Sequence, residues 1–310
     1  MVTAEFSMQV CSGSREEALV LLAAFLPKAG TSYTRNRNFD LGAGQHKHVS
    51  QLSAYIKRRI ITEEDVLKKV LSAHSLNEAG KFIDEIFWRT YFKGWLESRP
   101  HIWMQYCADV HHLTHELQTQ SGLRDRWAAA CLGETGIDCF DAWAKELAET
   151  GYLHNHARMW FASIWVYTLQ LPWQLGADFF LRHLLDGDAA SNTLSWRWVV
   201  GLHSVGKTYL ARAENIQRFT NGRFAPKGLA QVAPPLNDTA STMAPKIIDP
   251  PNPYLEGRKT GLLLHSDDLN IAHLTHRSDC IASAAYRPVD AGTMLVSSPK
   301  LLEFNNAALD

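Results

Sequence analysis

No uninterrupted apolar run of the roughly 20 residues needed to cross a bilayer occurs in this chain. Nor is Met1 followed by the basic and then apolar pattern of a secretory leader. Neither membrane spanning nor secretion is therefore expected. Cysteine is sparse: Cys11, Cys107, Cys131, Cys139 and Cys280 are odd in number and form no Cys-x-x-Cys pair. That excludes a disulfide framework and a structural zinc site of the usual spacing, and it suits a reducing cytoplasm. Charge of one sign is also missing, since 31 Lys and Arg face 32 Asp and Glu for a net of −1. Affinity for nucleic acid would have to come from a local basic surface. The loop from Leu41 to His48 holds Gly42 and Gly44 but not the full dinucleotide fingerprint, and no strand pattern precedes it, which argues against a Rossmann site.

What the chain does have is length and apolar content, 310 residues at 46% hydrophobic, enough for one large domain or two modest ones. Its periodicity is helical. An amphipathic pattern through Leu19, Leu22, Ala23 and Leu26 stops at Pro27 and Gly30, and Thr62-Glu63-Glu64-Asp65 reads as an N-cap with an acidic first turn. From about Asn77 to Glu97, Phe82, Ile83, Ile86, Phe87 and Tyr91 form a core stripe while Glu85, Trp88, Arg89 and Phe92 share another face. Residues 101–130 are helical in composition and rich in histidine. Neither His111, His112 and His115 nor His46 and His48 come with an acidic or cysteine ligand set in the sequence, so no metal site is assigned. A helix with Asp141, Trp143 and Leu147 then ends at Thr150-Gly151.

The stretch from Thr150 to Trp198 sets polar groups in apolar surroundings. Asn155, Arg158 and Met159 fall on one helical face by their spacing. Asp186-Gly187-Asp188 marks a helix junction where Asp188 can cap the helix carrying Asn192 and Asp186 can pair with a buried cation such as Arg158. A calcium loop is excluded, because Ala190 takes the third ligand position and no Glu follows at the twelfth. Ser50 and Ser53, beside a helix start, could hold a phosphate with hydroxyls and backbone N–H groups. Lys207, Tyr209, Arg212, Arg218 and Arg223 give a local positive excess, read either as a solvated face or as a phosphate-contacting rim. Seven prolines between Pro226 and Pro253 read as an extended linker or a surface-hugging arm. Beyond it, Gly261–His265 and Thr293–Val296 look like short buried strands around a helical segment, a small α/β fragment.

Four motifs in register resemble the helical FAD-binding domain of the photolyase/cryptochrome family. Thr150-Gly151-Tyr152-Leu153-His154-Asn155-His156-Ala157-Arg158-Met159 resembles its Thr-Gly-(Trp/Tyr)-Met-His-Asn-Arg-x-Arg-Met segment. Leu185-Asp186-Gly187-Asp188 with Asn192 and Trp196-x-Trp198 resembles its Asp-x-Asp, Asn, Trp-x-Trp series. Glu85-Ile86-Phe87-Trp88-Arg89 resembles Glu-Leu-Ile-Trp-Arg, and Ser50 with Leu52-Ser53 resembles the Ser-x-Leu-Ser segment that holds FAD phosphates.

The resemblance implies a mainly α protein: a helical FAD-binding domain over residues 1–224, a Pro-rich linker or arm over 225–258, and a C-terminal extension over 259–310. Tyr33, Ser50, Leu52 and Ser53 would hold the phosphate and ribose side of FAD, and Phe82, also counted with the cofactor site, stands where many members carry a Trp. Arg158 and Asp186 would pair over the isoalloxazine, Asp188 would meet its polar edge, and Asn192 would face N5. Glu85, Trp88, Arg89, Asn155, Met159 and Trp198 match lesion-pocket positions, with Arg37 and His156 as further DNA contacts. Trp196 and Trp173 match the first two members of the tryptophan chain that photoreduces the flavin. The implied function is light-driven repair of cyclobutane pyrimidine dimers in DNA by reduced FAD; the alternative is a blue-light-sensing, cryptochrome-like flavoprotein.

Three departures stand out. His156 replaces the usual second Arg. Gln120 falls near the expected distal relay Trp, so Trp103, Trp127 or Trp143 would have to substitute. With Met1 just upstream of the flavin-domain motifs, neither the family's N-terminal α/β antenna domain nor an antenna chromophore of the usual kind is expected.

Overall fold

In the computed structural model, residues 13–250, 259–270, 280–286 and 295–309 are described. The protein is mainly α, as the periodicity implies. Helices α1 (Arg15–Phe25), α2 (Thr31–Asn36), α3 (Ser53–Lys57) and α4 (Glu63–Ala73) lead into the long α5 (Leu76–Glu97). Then follow α6 (Pro100–Thr119), α7 (Ser121–Leu132), α8 (Asp138–Thr150), α9 (Asn155–Ser163), α10 (Trp173–His183), α11 (Ala189–Val199) and α12 (Ala213–Phe219). The boundaries are chemically marked. Thr62 and Ser75 each begin a helix with a reciprocal capping box, to Asp65 and Glu78. A π-helical turn, Ile164–Thr168, ends α9 and swings the chain toward α10.

The apolar residues divide into two main clusters. One gathers Trp143, Trp160, Phe161, Trp165, Phe179 and Trp196 from α8 to α11; the other gathers Phe25, Tyr33, Tyr55, Phe82 and Ile86 from α1 to α5. Leu185 belongs to the second although its neighbour in sequence, Leu184, belongs to the first, so the junction after α10 stitches the two together. Gly151 makes this possible. It takes the left-handed conformation that closes α8 (φ +69°), its carbonyl accepts the Leu185 N–H at 2.9 Å, and a Cβ there would meet Leu185 Cγ at 2.7 Å. The Thr-Gly motif and the Asp-Gly-Asp motif are thereby brought side by side.

Within the described part of the Pro-rich segment, several residues are tied to the helical core. Leu236 N–H donates to Val200 O at 2.9 Å, Thr208 donates to Ala233 O at 2.9 Å, and buried Arg197 reaches Asp238 at 2.6 Å. The strand reading needs correction. Strand β1 spans Thr260–His265, but its parallel partner β2 is Cys280–Tyr286. Thr293 and Met294 lie outside the described residues, and Leu295 and Val296 are not in a strand. A four-residue apolar run cannot by itself choose between strand and loop. After it, α13 (Pro299–Ala307) packs Leu301 and Phe304 into the second cluster.

Gly176 in α10 is where the aromatic core leaves no room: a Cβ there would lie 2.3 Å from Trp196 Cη2 and 3.0 Å from Trp165 Cε2. Gly176→Ala gains at most about 1 kcal/mol of helix propensity, against overpacking that costs about 1–3 kcal/mol in a dense core. Because both indoles are buried, the overpacking should win, and denaturant unfolding should show a net loss of roughly 2 kcal/mol.

Candidate functional site

Arg158 and Asp186 are 28 residues apart and meet in an ion pair, Nη2 to Oδ2 at 3.0 Å. Each is placed by its own element. Arg158 is on the first turn of α9, with its Nε donating to Leu153 O at 2.8 Å, and Asp186 is in the junction that Gly151 pins. Burial works against the Asp186 charge, but Arg158 and the nearby Ser53 hydroxyl hold its carboxyl below the usual range. Its Oδ1 is buried with no hydrogen-bond partner. Such an atom is an acceptor awaiting a donor.

Asp188 and Asn192 extend this polar line along α11. Asp188 is the N-cap, with Oδ1 accepting from Ser191 N–H at 2.8 Å, while Oδ2 lies 3.1 Å from Lys93 and 3.7 Å from Arg89. Asn192 donates from Nδ2 to Ala177 O at 2.8 Å, which fixes the direction of its amide. Arg89 was expected on the lesion side with Trp88. Its guanidinium instead donates to Lys57 O at 2.8 Å, lies 3.5 Å from Glu63 and leaves the side chain 14% exposed. One residue is a 100° step on a helix, so Trp88 and Arg89 diverge.

Tyr33, Phe82 and Phe25 form an aromatic wall between α1, α2 and α5, with Tyr33 and Phe82 centroids 5.2 Å apart at 79°. Burial and then Glu85 push the Tyr33 phenol up to about 12, so it is a hydrogen-bonding group and not a base. Leu52, fully buried, precedes α3, and Ser53 is the first residue of α3 beside Asp186; the Ser50 hydroxyl accepts from Leu52 N–H at 3.4 Å. Arg37 pairs with Glu85 and lies over the Tyr33 ring at 5.8 Å.

On the more open side, Trp88 is 48% exposed and packs edge-on against Tyr91 at 5.4 Å. Asn155 is exposed at the start of α9, Met159 is half-buried one turn on, and Trp198 stacks on Tyr209 at 5.7 Å. His156 is turned inward from the DNA-contact role expected of it. Its Nδ1 donates to Asn38 O at 3.0 Å, and its ring stacks on Trp160 at 4.1 Å.

The tryptophans are also sorted by the fold. Trp196 lies edge-on to Trp165 and Phe180, against Gly176. Trp173, one turn before Gly176, stacks on Tyr106 at 5.6 Å, and Tyr106 stacks on Trp103 at 5.2 Å. Of the three expected substitutes for the distal relay Trp, Trp103 is therefore the one joined to Trp173 by stacked rings. Trp143 is tied to Asp40 at 2.8 Å and stacks on Trp160.

Sequence reasoning missed the acidic neighbours of His46. Its Nε2 is 2.6 Å from Glu146 Oε1, and its Nδ1 is 3.9 Å from Asp40 Oδ1, all three residues being buried. Glu146 lies 100 positions away, so no local signal could show it. Only the Glu146 contact is a hydrogen bond: His46 Nδ1 is buried without a partner, and one potential ligand atom from each of the three residues lies within 4.8 Å of the others.

The Arg158, Asp186, Ser53 and Asn192 set suits a polar ring system: one buried carboxylate oxygen without a partner, one cation, and one amide that does not titrate. Residues 82–228 match the family model described as the FAD binding domain of DNA photolyase. The chain is 29% identical over 189 residues to a deoxyribodipyrimidine photo-lyase of Alkalihalophilus pseudofirmus, covering 60% of this chain and 38% of that one. It is 31% identical over 198 residues to one of Thermus thermophilus, covering 60% and 42%. In fold it is similar to a class III photolyase of Agrobacterium tumefaciens (TM-score 0.52, 23% identity, 67% of this chain and 43% of that one). It is likewise similar to a Synechocystis cryptochrome (TM-score 0.55, 20% identity, the same coverage). The chain thus spans less than half the length of these relatives.

Two outcomes are expected from this geometry. Arg158→Met strands a buried carboxylate and should cost about 3 kcal/mol by denaturant unfolding at pH 7, toward the lower end for a broken buried pair because the guanidinium is 23% exposed. The second concerns His154, whose Nδ1 accepts the His156 N–H at 3.2 Å and whose Nε2 is buried without a partner. Burial holds its pKa well below the ordinary 6.5. The unfolded chain then binds a proton that the folded one does not, so stability is full above pH 6.5 and falls as pH drops below it. His154→Gln should flatten that fall by about one proton, and an unchanged slope would refute the assignment.

Proposed function

Because the helical part of this chain belongs to the photolyase/cryptochrome family, whose cofactor in this domain is FAD, we propose that it repairs cyclobutane pyrimidine dimers in DNA with light. One observation carries the reading. Two packed helices each hold members of both residue sets: α9 carries Arg158 with Asn155 and Met159, and α11 carries Asn192 with Trp198. A flavin held by one set is therefore next to whatever the other set holds.

Bound in its reduced form, FAD would supply excited-state electron-transfer chemistry at this site. The protein binds, orients and excludes water. Arg158, Asp186, Asn192 and Asp188 hold the ring system, and Tyr33, Phe82, Ser50, Leu52 and Ser53 hold the phosphate and ribose side. A dimer must leave the duplex to reach this depth, at a cost lowered by its damaged stacking. Trp88, half exposed, and Trp198 offer faces for the flipped bases. Glu85, held by Arg37, meets the polar edge of the lesion, and the Asn155 amide donates and accepts without titrating. Photoreduction uses Trp196 and Trp173, with Trp103 reached through Tyr106.

Holoprotein with verified reduced FAD should, under blue light, restore a dimer-containing oligonucleotide. Glu85→Gln should slow this at least roughly tenfold, the scale of one hydrogen bond to a charged group, with an unchanged flavin spectrum. Dimers that persist in the illuminated holoprotein would overturn repair. A light-dependent change in protease sensitivity of residues 225–310 without repair would then favour the sensing alternative.

A further inference from the structure

The C-terminal extension has no role in the reading above, yet it reaches the same residues. After β1 the chain turns through Asp267 and Asp268 onto a cluster of cations from α3 and α5. Asp267 Oδ1 lies 2.5 Å from Lys57 Nζ, and its Oδ2 lies 3.9 Å from Lys93 Nζ. Lys93 Nζ is in turn 3.1 Å from Asp188 Oδ2. The Lys93 ammonium thus lies between two carboxylates, one from the polar line on α11 and one from the extension.

We propose that Asp267 is a positioning residue of the cofactor site: it holds Lys57 and Lys93, and through Lys93 it sets the place and charge of Asp188. This rests on the flavin reading and gives the C-terminal extension a part in it.

Charge balance supports the assignment. Lys57, Arg58, Arg89 and Lys93 converge on the stretch of chain that carries Asp186 and Asp188. The Lys57 side chain is only 12% exposed, and burial followed by the Arg58 charge pulls its pKa down. A lysine so placed keeps its charge only with an anion in contact. Asp267 is that anion: burial opposes its ionisation, but Lys57 beside it holds the carboxyl below its ordinary value. Without Asp267, Lys57 would lose the anion it touches, and Lys93, now between two carboxylates, would be held by Asp188 alone.

The segment is anchored as well as charged. Leu269 N–H donates to Arg58 O at 2.9 Å, and Asp268 pairs with Arg59 at 3.0 Å. Arg58 itself donates to Leu185 O at 2.6 Å and, through Nε, to Asn305 Oδ1 of α13 at 3.1 Å, with its guanidinium 4.6 Å over Phe304. Arg58 is therefore a rivet between the extension and the residue that precedes Asp186. The Arg59–Asp268 pair, both partners around 40% exposed, is the dispensable part of this contact.

The test uses the full chain with Asp267→Asn, Asp267→Glu and Asp268→Asn, measuring FAD retention, the midpoint potential of the bound flavin, and the melting temperature of the apoprotein. Asp267→Asn should bind FAD about tenfold more weakly, the scale on which outer-sphere partners act. It should also raise the potential, since a negative charge has been removed from the site's surroundings. Asp267→Glu should restore both, and Asp268→Asn should leave both unchanged. Asp267→Asn that matches the wild type in retention and potential overturns the proposal. So does tighter FAD binding, the result expected if the loop competes with an anionic ligand. If Asp267→Asn fails to fold, Asp267→Glu decides: a folded Glu variant without wild-type potential and retention overturns the role. A wild-type chain that takes up no FAD strikes the flavin reading first and this inference with it.

Discussion

A buried carboxylate must have a cation, and in this protein the Arg158–Asp186 pair is where that constraint organises the rest. Asp186 can be buried only because Arg158 stands 3.0 Å away, and Arg158 is aimed there because its Nε is already committed to Leu153 O. That geometry needs α8 to end in a left-handed turn at Gly151, so that the Leu185 backbone can dock on the turn. One side of Asp186 is left without a donor, and a buried acceptor in that state is a preformed place for a polar ligand. Stability and binding are joined at this point: removing the cation harms the fold, and filling the open acceptor would help it.

Helix α5 shows how one element serves two surfaces. Its Phe82, Ile83 and Ile86 are buried in the core formed with α1 to α4. Glu85 pairs with Arg37 and Trp88 is about half exposed, whereas Arg89 and Lys93 turn toward Asp188 and, beyond it, the C-terminal segment. This face of the helix is thus divided between Glu85 with Trp88 and a charge network that runs from half-exposed Lys93 to buried Asp188. The two regions differ in exposure: Trp88 is about half exposed, whereas Asp188 is 3% exposed with each carboxylate oxygen engaged.

Much of the fold and of the site was legible in the sequence because it is local. The cap at Thr62, the glycine at 151, and the Phe82, Ile83 and Ile86 positions of α5 are consequences of backbone geometry over a few residues, whereas Phe87 and Tyr91, read into the same stripe, are 52% and 46% exposed. The order of motifs along the chain carried the family resemblance and with it the cofactor. Asp188 as a helix cap and Arg158 as the partner of Asp186 follow from the same kind of reasoning. The second strand, placed at 293–296 and found at Cys280–Tyr286, shows the limit, since a strand is defined by its partner and not by its own composition.

The sequence by itself determined that the chain is a helical protein with an apolar interior in which Arg158, Asp186, Asp188 and Asn192 have to be reconciled. Only the tertiary structure decided how. It set Glu146 on His46, turned Arg89 and His156 inward, stacked Tyr106 between Trp173 and Trp103, and carried Asp267 from the far end of the chain to Lys57 and Lys93. Except for Trp103 and Tyr106, which are neighbours on α6, each of these contacts joins residues widely separated in sequence. Electrostatic and packing energies depend on distance in space, and no periodicity within a helix encodes which distant carboxylate will close the charge balance of a buried lysine.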